Sequence, residues 1–414
     1  MCVERETRSI LLLGGASHQV SAIQAANRLG YRTILCDYLT DNPGQEFADT
    51  YYPCDTTDWQ AVLDIAKQER ISGIISFGSD VAAPTAAYVA TELGFPTNPL
   101  DSTIVLTDKP RFRAFLQEQG YPCPKAVAVH VDDDINEVID AIHHLKLPLM
   151  VKPTDSSGSK GVTVVRSFEE SELAQAVAAA KSFSRNGKLV VEERIGSATS
   201  PVYGGDIFVK DGKVVFWGVM RCLRDLSCNP LIPVGKMYPP QMSEGVETKV
   251  RDLLQSVVTD LDLSFGEMNI EVLVDDDTPY LIELAPRAGG NFIPLELQDI
   301  SGIDLVEASV LCAMGEEPST MVFDRAQKYV STSVLHSREA GVLKRIEYPP
   351  AYLEHLYKQF VYFEPGDEIP AFSNASRAIG VAFFEFETMD EMNDLMFKAS
   401  DAIRIVCEEQ GDAR

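Results

Sequence analysis

Two glutamates near the middle of the chain lie on two apolar runs that a turn separates. The runs are Met268–Val274 and Tyr280–Leu284, and three aspartates lie between them. If the five residues between the runs form the turn, Glu271 pairs directly opposite Glu283. Like charges opposed on a sheet are unfavourable, and a divalent cation such as Mg²⁺, or Mn²⁺ in its place, removes the conflict. The alternative is an ordinary acid pair on a solvent-facing strand.

An arginine follows this proposed metal site. Arg287 lies four residues past Glu283, in the Gly-rich segment Ala-Pro-Arg-Ala-Gly-Gly-Asn that ends at Asn291. A guanidinium beside a metal can neutralise a transferring phosphoryl group or clamp a carboxylate. The alternative is a surface arginine on a loop. Further upstream, Arg221, Arg224 and Lys236 are candidates for recognising a substrate carboxylate, and surface cations are equally compatible with the pattern.

A lysine and a small-residue loop form a second candidate site. Lys152 ends a predicted buried strand, and the loop 156–161 reads Ser-Ser-Gly-Ser-Lys-Gly. Small residues let backbone N–H groups close around phosphate oxygens, and lysine supplies a point charge. The GxxxxGK[ST] order of a Walker A loop is absent. The alternative is a flexible hairpin loop.

The N-terminal strand, Ser9–Leu13, is followed by the turn Gly-Gly-Ala-Ser-His. A dinucleotide-binding fingerprint would read GxGxxG, so NAD binding is only weakly indicated, even though Asp37 ends the next predicted strand. The better interpretation is a doubly wound unit whose glycine pair permits a tight turn. The helix N-terminus near Ser17 would suit an anionic part of a substrate.

These candidate residues lie on a chain that changes pattern along its length. Short apolar strands alternate with helices over the first hundred residues, which is typical of a parallel sheet covered on both faces. A smaller α/β unit follows, and then longer strands in hairpins. A helix is predicted over Met389–Ile405, near the C-terminus. The predicted domains are 1–105, 106–200, 201–325 and 326–414.

Composition excludes several classes of protein. The 414 residues include 36 Lys and Arg against 62 Asp and Glu, a formal charge of −26. A nucleic-acid or anionic-membrane binder needs a basic surface, so neither partner is expected. The eight cysteines form no CxxC, which favours reduced thiols in a cytoplasmic protein. No stretch is apolar over 18 residues, so no membrane span is expected.

The order and spacing of these motifs resemble the ATP-grasp superfamily of carboxylate–amine ligases, over nearly the whole chain. The nearest branch holds biotin carboxylase, the carbamoyl-phosphate synthase large subunit, purine-pathway ligases and L-amino-acid ligases. The resemblance implies an α/β chain with an N-terminal Rossmann-like preATP-grasp domain, a two-lobed α+β ATP-grasp fold and a small C-terminal α+β extension. The implied cofactors are ATP and Mg²⁺ (or Mn²⁺), the partners are small carboxylates and amines, and a homodimer is compatible with it.

The resemblance also assigns site residues. It implies Arg287 as the catalytic arginine and Glu271 and Glu283 as metal ligands. Asn291 is a further metal candidate, because the asparagine that many members carry two residues past the second glutamate is Ala285 here. The implied nucleotide-binding residues are Lys109, Lys152, Ser156, Ser157, Gly158, Gly161, Glu192, Glu193 and Ile195. Glu192 would use its side chain, and Glu193 and Ile195 would offer their backbones to adenine. The ribose ligand is not evident, with Asp206 as a candidate.

The activity that follows from this resemblance is ADP-forming ligation. A small carboxylate is activated as an acyl phosphate, and an amine then displaces phosphate. Two alternatives stay open: a purine-pathway or carbamoyl-phosphate-type ligase that activates bicarbonate, and a nucleotide-binding protein without turnover.

Overall fold

The N-terminal sheet has four parallel strands in the order β3-β2-β1-β4. The computed structural model describes residues 8–156, 158–318 and 320–408 of the chain. All five residues of the first strand are buried, as expected for a parallel strand with helices on both faces. The elements are β1 (Ser9–Leu13), α1 (Val20–Arg28), β2 (Arg32–Cys36), β3 (Thr50–Tyr52), α2 (Trp59–Glu69), β4 (Gly73–Ile75) and α3 (Ala83–Leu93).

Two short helices, α4 (Leu100–Thr107) and α5 (Lys109–Glu118), connect this unit to the next. The Asp108 carboxylate caps α5 by accepting a hydrogen bond from the Arg111 N–H, and this cap fixes Lys109 in the first turn of the helix.

The second sheet is small and antiparallel, in the order β5-β8-β6-β7. Leu149, Val151 and Val191 point into a core that two helices cover. Because side chains alternate along a strand, Lys152 and Glu192 lie on the opposite, open face. The elements are β5 (Ala126–His130), α6 (Ile135–Ile142), β6 (Leu149–Pro153), β7 (Thr163–Val165), α7 (Glu170–Lys181) and β8 (Lys188–Glu193).

The third sheet has eight strands, in the order β13-β12-β9-β10-β11-β14-β18-β16. Helix α8 packs an apolar stripe against this sheet. The two glutamates of the proposed metal site lie on β12 and β13, the two outermost strands at one edge of the sheet. The elements up to its sixth strand are β9 (Val202–Lys210), β10 (Lys213–Arg224), β11 (Pro233–Tyr238), α8 (Glu244–Asp260), β12 (Phe265–Asp275), β13 (Thr278–Ala285), α9 (Ile293–Ser301), α10 (Leu305–Ala313) and β14 (Tyr329–Leu335).

The C-terminal segment adds two strands to that sheet and forms a sheet of its own in the order β17-β15-β19. The helix predicted over Met389–Ile405 is confirmed for its first half, Met389–Met396, whereas its second half forms a short helix and a strand that pairs with β15. The elements are β15 (Gly341–Glu347), α11 (Pro350–Leu353), β16 (Leu356–Val361), β17 (Glu368–Ile369), β18 (Gly380–Phe386), α12 (Met389–Met396), α13 (Ala399–Ala402) and β19 (Arg404–Cys407). The domain boundaries stay a prediction, since strands from beyond residue 326 extend the large sheet.

The turn between β12 and β13 sets the position of the two glutamates. It has two residues rather than the five predicted, Asp276 and Asp277, with φ of 45° and 58°. A β-bulge then leaves Ile282 without a partner, which restores the predicted register, and Glu271 pairs with Glu283. The predicted pair is therefore correct although the predicted turn is wrong.

The mixed α/β architecture matches the predicted fold class. Among the described residues, no helix combines the length and the apolar character needed to cross a membrane.

Candidate active site

The two opposed glutamates line the largest cavity near the predicted site residues, and the volume of this cavity is about 560 Å³. Glu271, Glu283, Arg287 and Asn291 all line it. Burial raises the pKa of Glu283, and the negative charge of Asp80 raises it further. The charged form of Glu283 is therefore destabilised unless a cation approaches it.

The donor set fits Mg²⁺ that also binds phosphate. No cluster of three or more His, Cys, Asp or Glu side chains in the described ranges is arranged to hold a metal alone. Mg²⁺ commonly takes one or two carboxylates and completes its octahedron with water and substrate phosphates. Glu271 and Glu283 supply two carboxylates of this kind, and the amide of Asn291 lies on the same cavity.

Arg287 is held from a distant part of the chain. Its Nε and Nη2 donate to the two carboxylate oxygens of Asp80, at 2.7 and 2.8 Å, and its Nη1 donates to the Ala288 carbonyl at 2.9 Å. Its Nη2 also lies 3.8 Å from Oε1 of Glu283. Asp80 follows β4 in the N-terminal sheet, so this bidentate pair ties the first unit to the metal edge of the large sheet.

A second pocket, of about 130 Å³, lies beside the first and contains the predicted nucleotide residues of β6 and β8. Glu192 forms ion pairs with Lys152 and, at 3.0 Å, with Arg113, and its side chain is 3% exposed. Burial alone would raise the pKa of Glu192, but Lys152 and Arg113 lower it to about 2. The carboxylate therefore orients two cations, and its predicted contact with adenine stays a prediction.

Arg113 is a site residue that sequence reasoning missed. Its Nη2 donates to the Ile282 carbonyl at 2.9 Å, and its buried Nη1 has no hydrogen-bond partner among the described residues. It lies one turn after Lys109 on α5, and both line the smaller pocket. The helical spacing of these two cations is the signal that would have found it.

Lys109 contacts the base of the small-residue loop. Its Nζ donates to the carbonyl of Ser156 at 2.7 Å and approaches that of Thr154 at 3.4 Å. Burial lowers the pKa of Lys109, and Glu283 and Asp80 oppose that shift. Lys109 therefore lies between the smaller pocket and the glutamate pair.

The loop contacts the C-terminal segment. The carbonyl of Gly158 accepts from the Ala375 N–H at 3.2 Å, and the Ser159 hydroxyl donates to the Leu231 carbonyl at 3.2 Å. Gly158 lines both pockets, whereas Gly161 packs beside Phe183. The predicted ligand Ser157 lies outside the described residues.

The predicted adenine-reading segment lines the smaller pocket. Glu193 and Ile195 are both on its wall. The Glu193 N–H donates to the Lys125 carbonyl at 2.9 Å, and its side chain accepts from the Lys146 N–H at 3.0 Å. Adenine recognition by Glu193 is therefore restricted to its carbonyl.

The N-terminal glycine turn is filled by the protein itself. A Cβ on Gly15 would lie 2.0 Å from the amide oxygen of Asn42, and one on Gly14 would meet Gln19. The Gly15 N–H donates to Asp37, and the Ala16 N–H donates to Gln19. These contacts occupy the space and the donors that a dinucleotide pyrophosphate would need, so the turn does not favour NAD binding.

Two further expectations are corrected by position. Asp206 is fully buried and accepts from Asn269 and from the Gly289 N–H, so it does not reach the smaller pocket as a ribose ligand. Arg221 stacks over Phe397, 5.3 Å from the ring centroid, and lines neither pocket. Arg224 borders the smaller pocket, and Lys236 borders the larger one.

The buried Glu192 network predicts a stability that depends on pH. Removing one partner of a buried ion pair leaves the others uncompensated, so Glu192→Gln should lower the free energy of unfolding by about 3–5 kcal/mol at pH 7. Because its pKa lies below the ordinary 4.5, the pair stabilises the fold above that pH and loses its contribution as pH falls toward 2.

Denaturant unfolding of wild type and variant across this pH range measures the effect. Exposed Glu118→Gln serves as the control and should change stability by less than about 0.5 kcal/mol. A difference between wild type and Glu192→Gln that is the same at pH 7 and pH 3 would contradict the assignment.

Comparison with known proteins agrees with this geometry. Residues 114–291 match the model of the ATP-grasp domain. A formate-dependent phosphoribosylglycinamide formyltransferase from Methanocaldococcus jannaschii is 24% identical over 413 residues, which cover 95% of this chain and 96% of that protein.

Solved structures share the fold over nearly the whole chain. An L-amino acid ligase from Bacillus licheniformis superposes with a TM-score of 0.78 at 19% identity, over 98% of this chain and all of that one. The biotin carboxylase domain of a 2-oxoglutarate carboxylase from Hydrogenobacter thermophilus, solved with MgADP and bicarbonate, gives a TM-score of 0.72 at 16% identity, over 97% of this chain and 91% of that one. The resemblance inferred from the motifs is confirmed over the matched region: residues 114–291 are an ATP-grasp domain.

Proposed function

We propose that this protein activates a small carboxylate with ATP and joins it to an amine, releasing ADP and phosphate. The observation that carries the proposal is the opposition of Glu271 and Glu283, with Arg287 3.8 Å from the latter. These three groups border the larger cavity, and Lys109 and Lys152 border the adjoining pocket. ATP phosphates bound between the two pockets would meet all of these charges.

Each of these residues is assigned a separate role in phosphoryl transfer. Glu271, Glu283 and Asn291 would hold Mg²⁺, which supplies positive charge to the phosphate oxygens when bound. Lys109 and Lys152 are assigned to the phosphates, and Glu192 orients Lys152 by its ion pair. Little covalent work falls to the protein in such a transfer, so positioning and neutralisation of charge account for most of the acceleration.

The reaction then proceeds in two balanced steps. A carboxylate oxygen attacks the γ-phosphorus, the bond to the β,γ-bridging oxygen breaks, and ADP leaves with that electron pair. The amine nitrogen next attacks the acyl carbon, phosphate leaves, and the nitrogen loses a proton. Arg287 is placed to neutralise charge in the first step, and Asp80 holds its guanidinium in a fixed plane.

The second candidate function is formyl transfer to an amine that carries a phosphoribosyl group, as in phosphoribosylglycinamide. The formyltransferase relative, which covers 95% of this chain, favours it. Formate would be the carboxylate, and the acceptor would carry a phosphate. A phosphate-release screen over formate, bicarbonate, acetate and free amino acids, with and without amine acceptors, distinguishes the candidates. ATP binding without ADP release in any combination would instead support a nucleotide-binding protein without turnover.

Lys152→Met should weaken ATP binding roughly tenfold or more, because a charge-assisted bond contributes about 1.5–3 kcal/mol. Adenosine affinity should change much less, since adenosine has no phosphates. Calorimetric titration with both ligands measures this, and exposed Lys146→Met is the matched control. Unchanged ATP affinity in Lys152→Met would remove Lys152 from the phosphate site.

Arg287→Lys and Arg287→Ala should both bind ATP almost normally and form ADP at least about a hundredfold more slowly in a single turnover, the scale of a lost transition-state donor. Lysine keeps the charge but loses the planar fork that Asp80 grips, so it should not rescue the rate. Loss of ATP affinity with an unchanged single-turnover rate would show that Arg287 is a nucleotide ligand.

Asp80→Asn tests the positioning of Arg287. The amide accepts one hydrogen bond instead of two and loses the charge, so the guanidinium is held less firmly. We expect a lower kcat with an unchanged KM for ATP, and no additional loss when Asp80→Asn is combined with Arg287→Ala. Additive losses in the double variant would mean that Asp80 acts independently of Arg287.

A further inference from the structure

The larger cavity exceeds what the reacting carboxylate alone would fill. Its volume of about 560 Å³ lies within the range of sites that hold whole small-molecule ligands, whereas formate and bicarbonate have three and four heavy atoms. Part of its lining is apolar and includes Ile232, Pro233, Ile293, Tyr362 and Phe363. A second substrate with an apolar part therefore fits beside the metal edge.

Two lysines border this cavity, Lys160 and Lys236. Arg287 is paired with Asp80, and burial lowers the pKa of His18, which makes its ring neutral near pH 7. Lys160 belongs to the small-residue loop, which is assigned to the phosphates of ATP. Lys236 forms no ion pair with any described residue, and it borders the same cavity as Glu271.

The strand geometry directs Lys236 toward the reacting end. Gly204 is the partner of Glu271 in the neighbouring strand, so the two lie about one strand spacing apart. A Cβ on Gly204 would lie 3.5 Å from Cε of Lys236, so the lysine side chain extends across the space that the glycine leaves free. Its ammonium group is thereby brought to the sheet surface near Glu271.

The buried carboxyl group of Glu296 does not neutralise the ammonium group of Lys236. Lys236 interacts electrostatically with the buried acid Glu296, which is 1% exposed and whose side chain accepts from the Thr332 hydroxyl. Burial raises the pKa of Glu296 to about 8, so this carboxyl is largely protonated near pH 7 and does not neutralise the lysine.

We infer that Lys236 binds a carboxylate carried by the amine substrate, and that this substrate is a non-phosphorylated amino acid with an apolar side chain. The single ammonium group of Lys236 balances one carboxylate, whereas a phosphomonoester carries about −1.5 to −2 charges and is usually met by several donors. The glycine turn does not supply them, because the N–H groups of Gly14, Gly15 and Ala16 already donate within the protein.

This inference rests on the proposed ligase function and deepens it. The test measures ADP and phosphate release with formate, acetate or a free amino acid as donor. Three kinds of acceptor are compared: apolar amino acids such as leucine, their carboxamides such as leucinamide, and 2-aminoethyl phosphate. The variants are Lys236→Met, which keeps the length of the side chain without its charge, and exposed Lys213→Met as the control.

Wild type should use the amino acid at a far lower KM than its carboxamide. Lys236→Met should raise the KM for the amino acid at least about tenfold and leave the KM values for ATP and for the carboxamide unchanged. Lys213→Met should behave as wild type. Preference for 2-aminoethyl phosphate, or an unchanged KM for the amino acid in Lys236→Met, would overturn the inference.

A binding measurement separates failure of this subsite from failure of the ligase function. Thermal unfolding is followed with leucine at millimolar concentration and Mg²⁺ with a non-hydrolysable ATP analogue. Leucine should stabilise wild type but not Lys236→Met. If no pair of substrates releases ADP and this difference persists, the ligase function falls and the carboxylate subsite stands. Equal stabilisation of both proteins, or none of either, would overturn the subsite.

Discussion

The site depends on two carboxylates that the backbone forces to face each other. Glu271 and Glu283 are paired residues of β12 and β13, and both border the larger cavity. Burial raises the pKa of Glu283, so the protein does not fully compensate its charge. Lys109 and Arg287 lower the free-energy cost of charging Glu283, but their hydrogen bonds go to Ser156 and to Asp80. A metal that arrives with its phosphates completes the balance, which couples metal binding to nucleotide binding.

Ion pairs between acids and cations also position other charged groups of the site. The chain carries a formal charge of −26, and two of its acids hold three of the cations at the site. Glu192 orients Lys152 and Arg113, and Asp80 orients Arg287. Each acid keeps its cation in one position before substrate enters, so less reorganisation is needed when charge develops in the reaction.

The sequence predicted those parts of the site that follow from strand alternation and pairing. It did not predict the parts that depend on contacts between residues far apart in the chain. The opposition of Glu271 and Glu283 followed from strand alternation and pairing, and it survived a wrong turn length because the bulge at Ile282 compensates. Asp80 was missed because 207 positions separate it from Arg287, and no periodicity links two such distant loops. The pairing of Glu192 with Arg113 was not predicted because it depends on how α5 packs against the small sheet, and the adenine role that the resemblance implies for Glu192 stays a prediction.

The C-terminal segment shows the same limit for the fold. Its last residues have helical spacing, but pairing with β15 overrides that preference over Arg404–Cys407. Its strands also extend the large sheet, and Tyr362, Phe363 and Ala375 border the larger cavity. The segment therefore encloses the site as well as completing the sheet, a role that composition alone did not indicate.

The most direct test of the central claim is a Mn²⁺ binding titration followed by electron paramagnetic resonance. Mn²⁺ should bind weakly to the protein alone and much more tightly with a non-hydrolysable ATP analogue, since two carboxylates need phosphate oxygens to complete the coordination. Combined Glu271→Gln and Glu283→Gln should abolish the tight binding while the fold is retained. Equally tight Mn²⁺ binding in the double variant, or tight binding to wild type without nucleotide, would contradict this account of the site.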